Sequence, residues 1–272
     1  MERIMSAANA KIKLTAGLHR RKNREAAQQF VAEGVRLVEM AAAADWPIAF
    51  GLCTPEAAMD ARVAAILGKL ASRNCPVYEV DDAVYRKGAD TQEPQGLLVV
   101  MEQRRVSLPE LLAQPQPLLA VLDGIQDPGN AGTILRTADA AGCTGVVFME
   151  NTVDLFSDKT VRAAMGSLFH VPVADQVSAA SLLQMVDEKR LRLYATALDA
   201  GARPHFSADY RGPAMIVFGN EGQGVSAPLL AAAEKLYIPM AGQAESLNVA
   251  AAAAVVLYEA LRQRRYTSSQ QR

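Results

Sequence analysis

The C-terminal part of the sequence alternates short apolar runs with segments typical of helices, and this alternation constrains the fold most strongly. It begins with the predicted strand Leu118–Asp123 and ends with a helix from about Ser246. Between them we predict a helix at 130–141 and strands at 145–149, 171–174, 192–198, 214–219 and 236–240. Continuous apolar strands between helices are typical of a parallel sheet covered on both faces. The sequence therefore predicts an α/β domain here.

The N-terminal part predicts a second, smaller α/β unit. Its apolar residues from Phe30 to Met40 fall near helical spacing. The following segments predict a strand at 47–52, a helix at 56–72, a strand at 76–80, a short helix from Asp81 and a strand at 97–101. Three prolines between Val106 and Pro117 then interrupt regular structure, which indicates a linker between two domains.

Composition excludes several classes of protein. The 272 residues are 50% hydrophobic and 21% charged, which is typical of folded domains rather than disordered chains. Three cysteines without C-x-x-C spacing and three scattered histidines predict neither a disulfide framework nor a metal site. The longest wholly apolar run, Val249–Tyr258, is too short to cross a bilayer, and the N-terminus lacks the apolar stretch of a signal peptide. We therefore expect a cytoplasmic protein without a membrane partner.

Positive charge is concentrated at the N-terminus. The whole chain has a formal net charge of −1, yet residues 1–24 contain seven basic residues against the single carboxylate of Glu2. Four of these basic residues form one cluster, Arg20, Arg21, Lys22 and Arg24. Such a cluster is typical of a surface that binds a nucleic acid, although a solvated helix face has the same composition.

Three loops carry the polar residues best suited to chemistry, and each follows a predicted strand. They are Asp123–Arg136, Ile216–Ala227 and Ile238–Ala250. Ligands of open α/β sheets bind at the carboxyl ends of strands. In the first loop, glycines allow a backbone to approach a ligand closely, and Asn130 is a candidate helix cap. A helix cap beside a surface arginine would also explain this loop without any function.

The other two loops each leave alternatives open. Gly222-x-Gly224-x-x-Ala227 in the second loop fits a loose dinucleotide-binding pattern, but only one strand and one helix follow, which argues against a nicotinamide-dependent oxidoreductase. In the third loop, Ser246 is a candidate N-cap. Asn248 precedes a run that is apolar on every side, and an amide that enters a buried helix needs a hydrogen-bond partner.

Together the three loops resemble the signature motifs of one protein family. The matching residues are Asn130-x-Gly132-x-x-x-Arg136, Phe218-Gly219-Asn220-Glu221-Gly222-x-Gly224, and Ile238-Pro239-Met240 followed after five residues by Ser246-Leu247-Asn248-Val249. These motifs look like those of the SpoU family, the RNA ribose 2′-O-methyltransferases of the SPOUT class. The N-terminal part resembles the substrate-binding domain of the rRNA-modifying branch in Phe30-x-x-Glu33-Gly34-x-Arg36-Leu37-Val38 and in Thr91-Gln92-Glu93-Pro94-Gln95-Gly96.

The resemblance implies a domain organisation and a cofactor. The expected parts are a basic N-terminal extension at 1–24, an RNA substrate-binding domain at 25–105, a linker at 106–117 and a methyltransferase domain at 118–266 that contains a deep trefoil knot. Similar proteins bind S-adenosylmethionine in the knot. The resemblance places this cofactor among Leu198, Gly219, Ile238, Met240 and Leu247.

The same resemblance implies the reaction and the residues around the target ribose. Those residues are Asn130, Arg136, Glu221, Ser246 and Asn248, and no metal is required. Arg136 is often regarded in this family as a general base, but an arginine side chain in a protein is almost never neutral. The interpretation we prefer is that Arg136 holds the adjoining phosphate and stabilises developing alkoxide charge, while Glu221 and Asn248 fix the geometry. The sequence leaves both interpretations open.

Large-subunit rRNA is the favoured substrate because the N-terminal domain resembles that of the rRNA enzymes. The alternatives are a tRNA ribose 2′-O-methyltransferase and a non-catalytic RNA-binding or ribosome-assembly protein on the same scaffold. We also expect a homodimer, since a helix that is apolar all round from Val249 to Tyr258 must be covered on every side and one sheet covers only one side.

Overall fold

The computed structural model describes residues 1–199 and 201–266, which divide into two compact units. The first unit contains Met1–Arg104 together with Phe156–Phe169. The second contains Arg105–Leu155 and the described residues from His170 onward. Residues 156–169 lie within the methyltransferase domain expected at 118–266, yet they belong to the first unit.

Helices and strands alternate along most of the described chain. Up to residue 104 they are β1 (Glu2–Ile4), α1 (Ala10–Gly17), α2 (Arg21–Ala27), β2 (Gln29–Glu33), α3 (Val35–Ala43), β3 (Ile48–Cys53), α4 (Pro55–Ala58), α5 (Ala61–Ser72), β4 (Val77–Val80), α6 (Asp82–Tyr85) and β5 (Leu97–Glu102). From residue 105 they are α7 (Leu108–Leu111), β6 (Leu118–Asp123), α8 (Pro128–Ala140), β7 (Gly145–Met149), α9 (Asp158–Ala164), β8 (Val173–Val177), α10 (Ala179–Lys189), β9 (Arg192–Thr196), β10 (Arg203–Pro204), β11 (Ala214–Gly219), α11 (Ala227–Ala232), β12 (Glu234–Tyr237) and α12 (Val249–Arg265).

The first unit is built on a five-stranded mixed sheet in the order β1-β4-β3-β5-β2. The sequence predicts a separate basic extension at residues 1–24, whereas in the structure these residues form part of the first unit. β1 pairs in parallel with β4, and Ile12 and Leu18 are buried in the same hydrophobic cluster as Leu52 of β3. The apolar residues between the basic ones therefore anchor the basic segment in the unit's core.

The apolar residues from 30 to 40 form a strand and a helix, where helical spacing predicted one helix. β2 pairs antiparallel with β5, and its residues Phe30–Glu33 are buried. The strand ends at Glu33. The next residue, Gly34, has a φ of 103°, which is accessible mainly to glycine, and α3 begins at Val35. Pairing with β5 overrides the local periodicity here, because burial on both sides of a strand removes the usual alternation.

The second unit contains a seven-stranded sheet in the order β10-β12-β9-β11-β6-β7-β8, and every pair of neighbouring strands is parallel. This confirms the predicted α/β fold with a parallel sheet. Residues 106–117, which the sequence predicts to be a linker without regular structure, contain the helix α7, and Ser107 forms a capping box at its start. Leu108 and Leu111 of α7 lie in the second unit's core.

Helix α12 is covered on one face within this chain. Ala253, Val256 and Leu257 are buried, whereas Val255 and Tyr258 are 38% and 50% exposed. The apolar sequence of α12 predicts burial on every side, but in the single chain one side of the helix stays exposed to solvent. Among the described residues, no helix is both long enough and apolar enough to cross a membrane.

Glu33 connects the two N-terminal segments on which the resemblance rests. Its buried carboxylate accepts hydrogen bonds from the backbone N–H of Asp90 and Thr91, at 2.9 and 3.3 Å, and from the Thr91 hydroxyl. The side-chain oxygen of Gln95 in turn accepts from the backbone N–H of Val35 at 2.9 Å. Residues about 60 positions apart in the chain are thus held together by one carboxylate and one amide.

We expect Glu33→Gln to lower the free energy of unfolding by about 1–3 kcal/mol, because the new amide N–H₂ would face N–H or O–H donors at a buried site. Urea denaturation measures this loss. The matched control is Glu93→Gln, at an exposed position in the same unit. Equal stability of the two variants would contradict the structural role of the Glu33 carboxylate.

Candidate functional site

The site lies at the carboxyl ends of β6 and β11, two strands that are neighbours in the sheet. Their register pairs Asp123 with Gly219, the last residue of each strand. From β6 the chain continues to β7 and β8 on one side, while β9 and β12 lie on the other side of β11. Loops that leave the sheet at such a switch point diverge and form a crevice, which is the usual ligand site of parallel α/β sheets.

The loop after β11 is a tight turn that requires glycine at its base. Asn220 and Gly224 exchange two backbone hydrogen bonds of 2.9 Å, and the Asn220 side-chain oxygen accepts from the backbone N–H of Gly222 and Gln223. A side chain at Gly219 would overlap the backbone of Gly224 and Val225. The turn therefore folds back directly over the end of β11.

A cavity of about 560 Å³ opens beside this turn, within the size range of small-molecule sites. Its walls come from the ends of β9, β11 and β12 and from the start of α12. The residues expected to frame a cofactor all line it: Leu198, Gly219, Ile238, Met240 and Leu247. Sequence reasoning missed Thr196, Gln223 and Tyr237, which also line it. Thr196 and Tyr237 end strands β9 and β12, and that position could have revealed them.

Four of the five residues expected around the ribose lie together, and the fifth lies apart from the cavity wall. Glu221, Ser246 and Asn248 line the cavity. Asn130, on α8, hydrogen-bonds to both Glu221 and Asn248. Arg136, six residues after Asn130 on α8, is exposed and is not among the residues that line the cavity. The structure thus joins three distant motifs through Asn130.

Glu221 links the loop after β11 to the loop after β6. Its carboxylate accepts hydrogen bonds from the Asn130 side chain at 2.9 Å and from the backbone N–H of Gln126 and Asp127 at 3.1 and 3.3 Å. Partial burial disfavours the charge, but these hydrogen bonds outweigh it and lower the pKa of Glu221. The group is therefore held as a carboxylate at neutral pH.

Two helix caps differ from those expected. Asp127, rather than Asn130, caps α8, since its side-chain oxygen accepts from the backbone N–H of Asn130. Asn248, rather than Ser246, caps α12, accepting from the backbone N–H of Ala250 and Ala251 at 2.9 and 3.4 Å. The partner that the Asn248 amide needs is therefore the start of its own helix, together with Asn130.

The basic cluster of the first unit divides into exposed and buried members. Arg20 and Lys22 are exposed, and Arg21 is exposed while its Nε donates to Glu25 at 2.7 Å. Arg24 is only 4% exposed, and its guanidinium donates to the Leu18 carbonyl at 2.6 Å. In this structure the burial of Arg24 and its hydrogen bond to the Leu18 carbonyl argue against the expected contact between Arg24 and RNA.

The first unit also brings together ligand-type side chains that are far apart in sequence. Side-chain atoms of His19, Asp90 and Asp158 lie within 4.8 Å of one another. The His19 ring makes hydrogen bonds to Asp158 at 3.1 Å and to the Gly88 carbonyl at 2.8 Å, while Arg162 pairs with Asp90 at 2.8 Å. Burial disfavours a charged ring, but these acceptors outweigh it and raise the pKa of His19. The His19 ring and the Arg162 guanidinium therefore already serve as partners for the two carboxylates.

We expect Gly219→Ala to weaken binding of the cofactor implied by the resemblance by about tenfold or more, because displacing the Gly224 backbone costs about 1–3 kcal/mol. Titration calorimetry with S-adenosylmethionine measures the effect. Gly212→Ala is the control, since a methyl group there meets no other atom within 4 Å. Unchanged affinity in the Gly219 variant would show that the turn does not form part of the cofactor site.

Comparison with known proteins agrees with this geometry. The model of the SpoU rRNA methylase family matches residues 117–258, and that of the MRM3-like substrate binding domain matches residues 9–99. The chain is 37% identical to the 23S rRNA (guanosine(2553)-2′-O)-methyltransferase RlmP of Bacillus subtilis, over 95% of this chain and 98% of RlmP. It is 30% identical to the 23S rRNA (uridine(2479)-2′-O)-methyltransferase of Streptomyces viridochromogenes, over 91% of this chain and 87% of that protein.

A solved structure matches along almost the whole chain. The AdoMet-bound rRNA methyltransferase from Sinorhizobium meliloti superposes with a TM-score of 0.83 at 33% identity, and the match covers 96% of this chain and 97% of that one. The sequence motifs, the parallel sheet and these similarities agree with one another. This chain belongs to the SpoU rRNA methylase family.

Proposed function

We propose that this protein transfers a methyl group from S-adenosylmethionine to a ribose 2′-hydroxyl of large-subunit rRNA. The observation that carries the proposal is the contact between the family motifs: Asn130, Glu221 and Asn248 are hydrogen-bonded at the edge of the cavity. Relatives that match nearly the whole chain are named 23S rRNA 2′-O-methyltransferases. A non-catalytic protein on this scaffold would not need to keep the three polar side chains in contact.

The cavity suits S-adenosylmethionine in both size and chemistry. Leu198, Ile238, Met240 and Leu247 provide apolar walls, and Gly219 leaves backbone groups within reach of a ligand. Backbone amides and carbonyls can hydrogen-bond to the adenine and to the amino-acid part, while apolar side chains accommodate the region of the sulfonium. When bound, S-adenosylmethionine supplies an activated methyl group.

The side chains at the cavity edge have to align the 2′-hydroxyl so that its oxygen bonds to the methyl carbon while the carbon–sulfur bond breaks and a neutral thioether leaves. The hydroxyl proton passes to water, and the charge that develops on the oxygen has to be stabilised meanwhile. Asn130, Ser246 and Asn248 are the groups we propose to hold the ribose. Arginine side chains are almost never neutral in proteins, so we propose that Arg136 binds the adjoining phosphate and stabilises the developing alkoxide. This role requires exposure to RNA, and Arg136 is exposed on α8.

We further propose the knot and the RNA-binding surface that the family resemblance implies. The cavity is formed by the segments after β9, β11 and β12, which are those that the resemblance places in a trefoil knot. In the first unit, the exposed Arg20, Arg21 and Lys22 are the proposed phosphate contacts. With rRNA as the substrate, we propose the cytoplasm as the site of action.

In a deletion strain, we expect one 2′-O-methyl group to disappear from large-subunit rRNA and to return with the wild-type gene. Arg136→Ala should not restore it, and the purified variant should be slower by about a hundredfold or more at near-normal S-adenosylmethionine affinity, since losing one positioned charge costs about 2.7 kcal/mol or more. Lys189→Ala, an exposed cation on α10, is the control. An Arg136 variant that retains a tenth of the rate would refute the clamp, and loss of a tRNA methyl group instead would refute the rRNA substrate.

We also propose a homodimer in which the exposed face of α12 packs against a second copy. Val255 and Tyr258 lie on this face, while the opposite face is already buried in the chain's own core. A helix that is apolar on both faces is more stable when both are removed from water. A twofold arrangement would satisfy this for both copies with a single interface.

Sedimentation at micromolar concentration should give twice the chain mass of 29.1 kDa, and Tyr258→Asp should shift the protein toward the monomer. Tyr266→Asp, at the exposed end of the helix, is the control. Mixing Arg136→Ala with Asn248→Ala chains should restore activity if the two residues meet across the interface. A fully active wild-type monomer would contradict the dimer, whereas failed complementation alone would contradict only the shared site.

A further inference from the structure

We propose that Glu221 is a positioning residue that sets, through Asn130, the direction in which the Asn248 amide hydrogen-bonds. The inference deepens the proposed function, on which it rests, because Asn130 and Asn248 are the amides proposed to hold the ribose. It assigns Glu221 a different role from that of a group acting on the reacting atoms. The basis is a chain of hydrogen bonds in which each step allows only one direction.

The chain, which we call the amide relay, runs from Glu221 through Asn130 and Asn248 to the first turn of α12. Asn130 Nδ2 donates to Glu221 Oε1 at 2.9 Å. Asn248 Nδ2 donates to Asn130 Oδ1 at 3.1 Å. Asn248 Oδ1 accepts from the backbone N–H of Ala250 at 2.9 Å. One side chain from each of the three loops is thereby connected in series.

Charge at one end and backbone at the other determine the direction of the relay. A carboxylate can only accept hydrogen bonds, so the N–H₂ group of Asn130 must face Glu221 and its oxygen must face Asn248. Asn248 must then direct its own N–H₂ group to Asn130. The backbone N–H groups at a helix start can only donate, so they require the oxygen of Asn248. Both ends thus favour the same orientation of each amide.

Reversing either amide would disturb the wall of the cavity. With Asn248 turned over, its N–H₂ group would face the N–H of Ala250, and the cap of α12 would be lost. Val249 and Ala252 in this first turn line the cavity. The relay therefore connects the orientation of the amides with the position of the helix start beside the cofactor.

Glu221 itself is poorly placed to accept a proton from substrate. Its two oxygens already accept from Asn130 and from the backbone N–H of Gln126 and Asp127. These bonds also lower the pKa of Glu221, which makes the carboxylate a weaker base at neutral pH. Two backbone N–H groups hold the Glu221 carboxylate in place, and Asn130 is the side chain that it orients. This arrangement suits a residue that acts through Asn130.

The test exchanges the carboxylate and the amide within the relay. Glu221→Gln removes the acceptor-only end and places an N–H₂ group near either Asn130 or the Gln126 N–H. Asn130→Asp places two carboxylates in contact, which disfavours ionisation of both. In the double variant, the new carboxylate at 130 accepts from the glutamine at 221 and from Asn248, so the direction at Asn248 is restored without a charge at 221.

We expect each single variant to lose about tenfold or more in single-turnover methylation of large-subunit rRNA from the deletion strain, at saturating S-adenosylmethionine and RNA. The methylation rate of the double variant should exceed that of each single variant by about threefold or more. Above neutral pH, its rate should vary with pH in the same way as that of the wild type. Glu188→Gln on α10, a carboxylate that accepts from Gln184, is the matched control and should keep the wild-type rate.

Urea unfolding of the wild type, the two single variants and the double variant tests the relay without RNA. The two substitutions together should lower the free energy of unfolding by less than the sum of their separate effects. A double variant as slow as Glu221→Gln would overturn the inference, because the carboxylate at 221 would then be required for the reaction itself. If the two substitutions are non-additive in the free energy of unfolding but additive in the methylation rate, the relay is a structural contact only and the inference fails. Wild-type protein that methylates no rRNA would refute the proposed function, while absent coupling in unfolding would refute the relay.

Discussion

The parallel pairing of β6 with β11 is the interaction on which the site depends. It brings Asp123 and Gly219, nearly 100 residues apart in the chain, to the same edge of the sheet. The buried Asp123 carboxylate accepts from the backbone N–H of Ser226 at 2.7 Å, and the Asn220 side chain donates to the Gly124 carbonyl at 2.8 Å. Both loops are therefore attached to each other as soon as they leave the sheet, and the Glu221 contacts extend this attachment to α8.

The site is assembled from groups whose hydrogen bonds have a defined direction. Glycine at 219 lets the backbone turn back onto itself, and Asn220 satisfies the N–H groups which that turn leaves open. The Asp127 carboxylate accepts from the backbone N–H of Asn130 in the first turn of α8. The Glu221 carboxylate accepts from the backbone N–H of Gln126 and Asp127, which directly precede the helix. The helix dipole also favours negative charge at this end of α8. The polar residues thus hold the loops in place, and aliphatic residues line the space for the ligand.

Sequence patterns predicted the fold best where elements depend on local chemistry. The strands at 118–123, 145–149 and 214–219 have the predicted bounds, because each is a continuous apolar run between turn residues. The predictions failed where pairing over long distances determines the structure. Residues 29–33 form a strand because β5 is available to pair with them, and α7 forms at 108–111 because its leucines have a core to enter. Neither partner can be recognised within a short window.

From the sequence alone, the resemblance of three motifs to those of the SpoU family implied which residues to expect in the site. The five residues expected around the cofactor line one cavity, and Asn130, Glu221 and Asn248 lie at its edge. Only the tertiary structure decided what these groups do to one another. Three results depend on hydrogen-bond partners that the sequence does not specify. Asn248 caps α12, Asp127 rather than Asn130 caps α8, and the guanidinium of the buried Arg24 donates to the Leu18 carbonyl. The type of a polar residue defines what it can donate or accept, but its partner is chosen only when packing brings distant segments together.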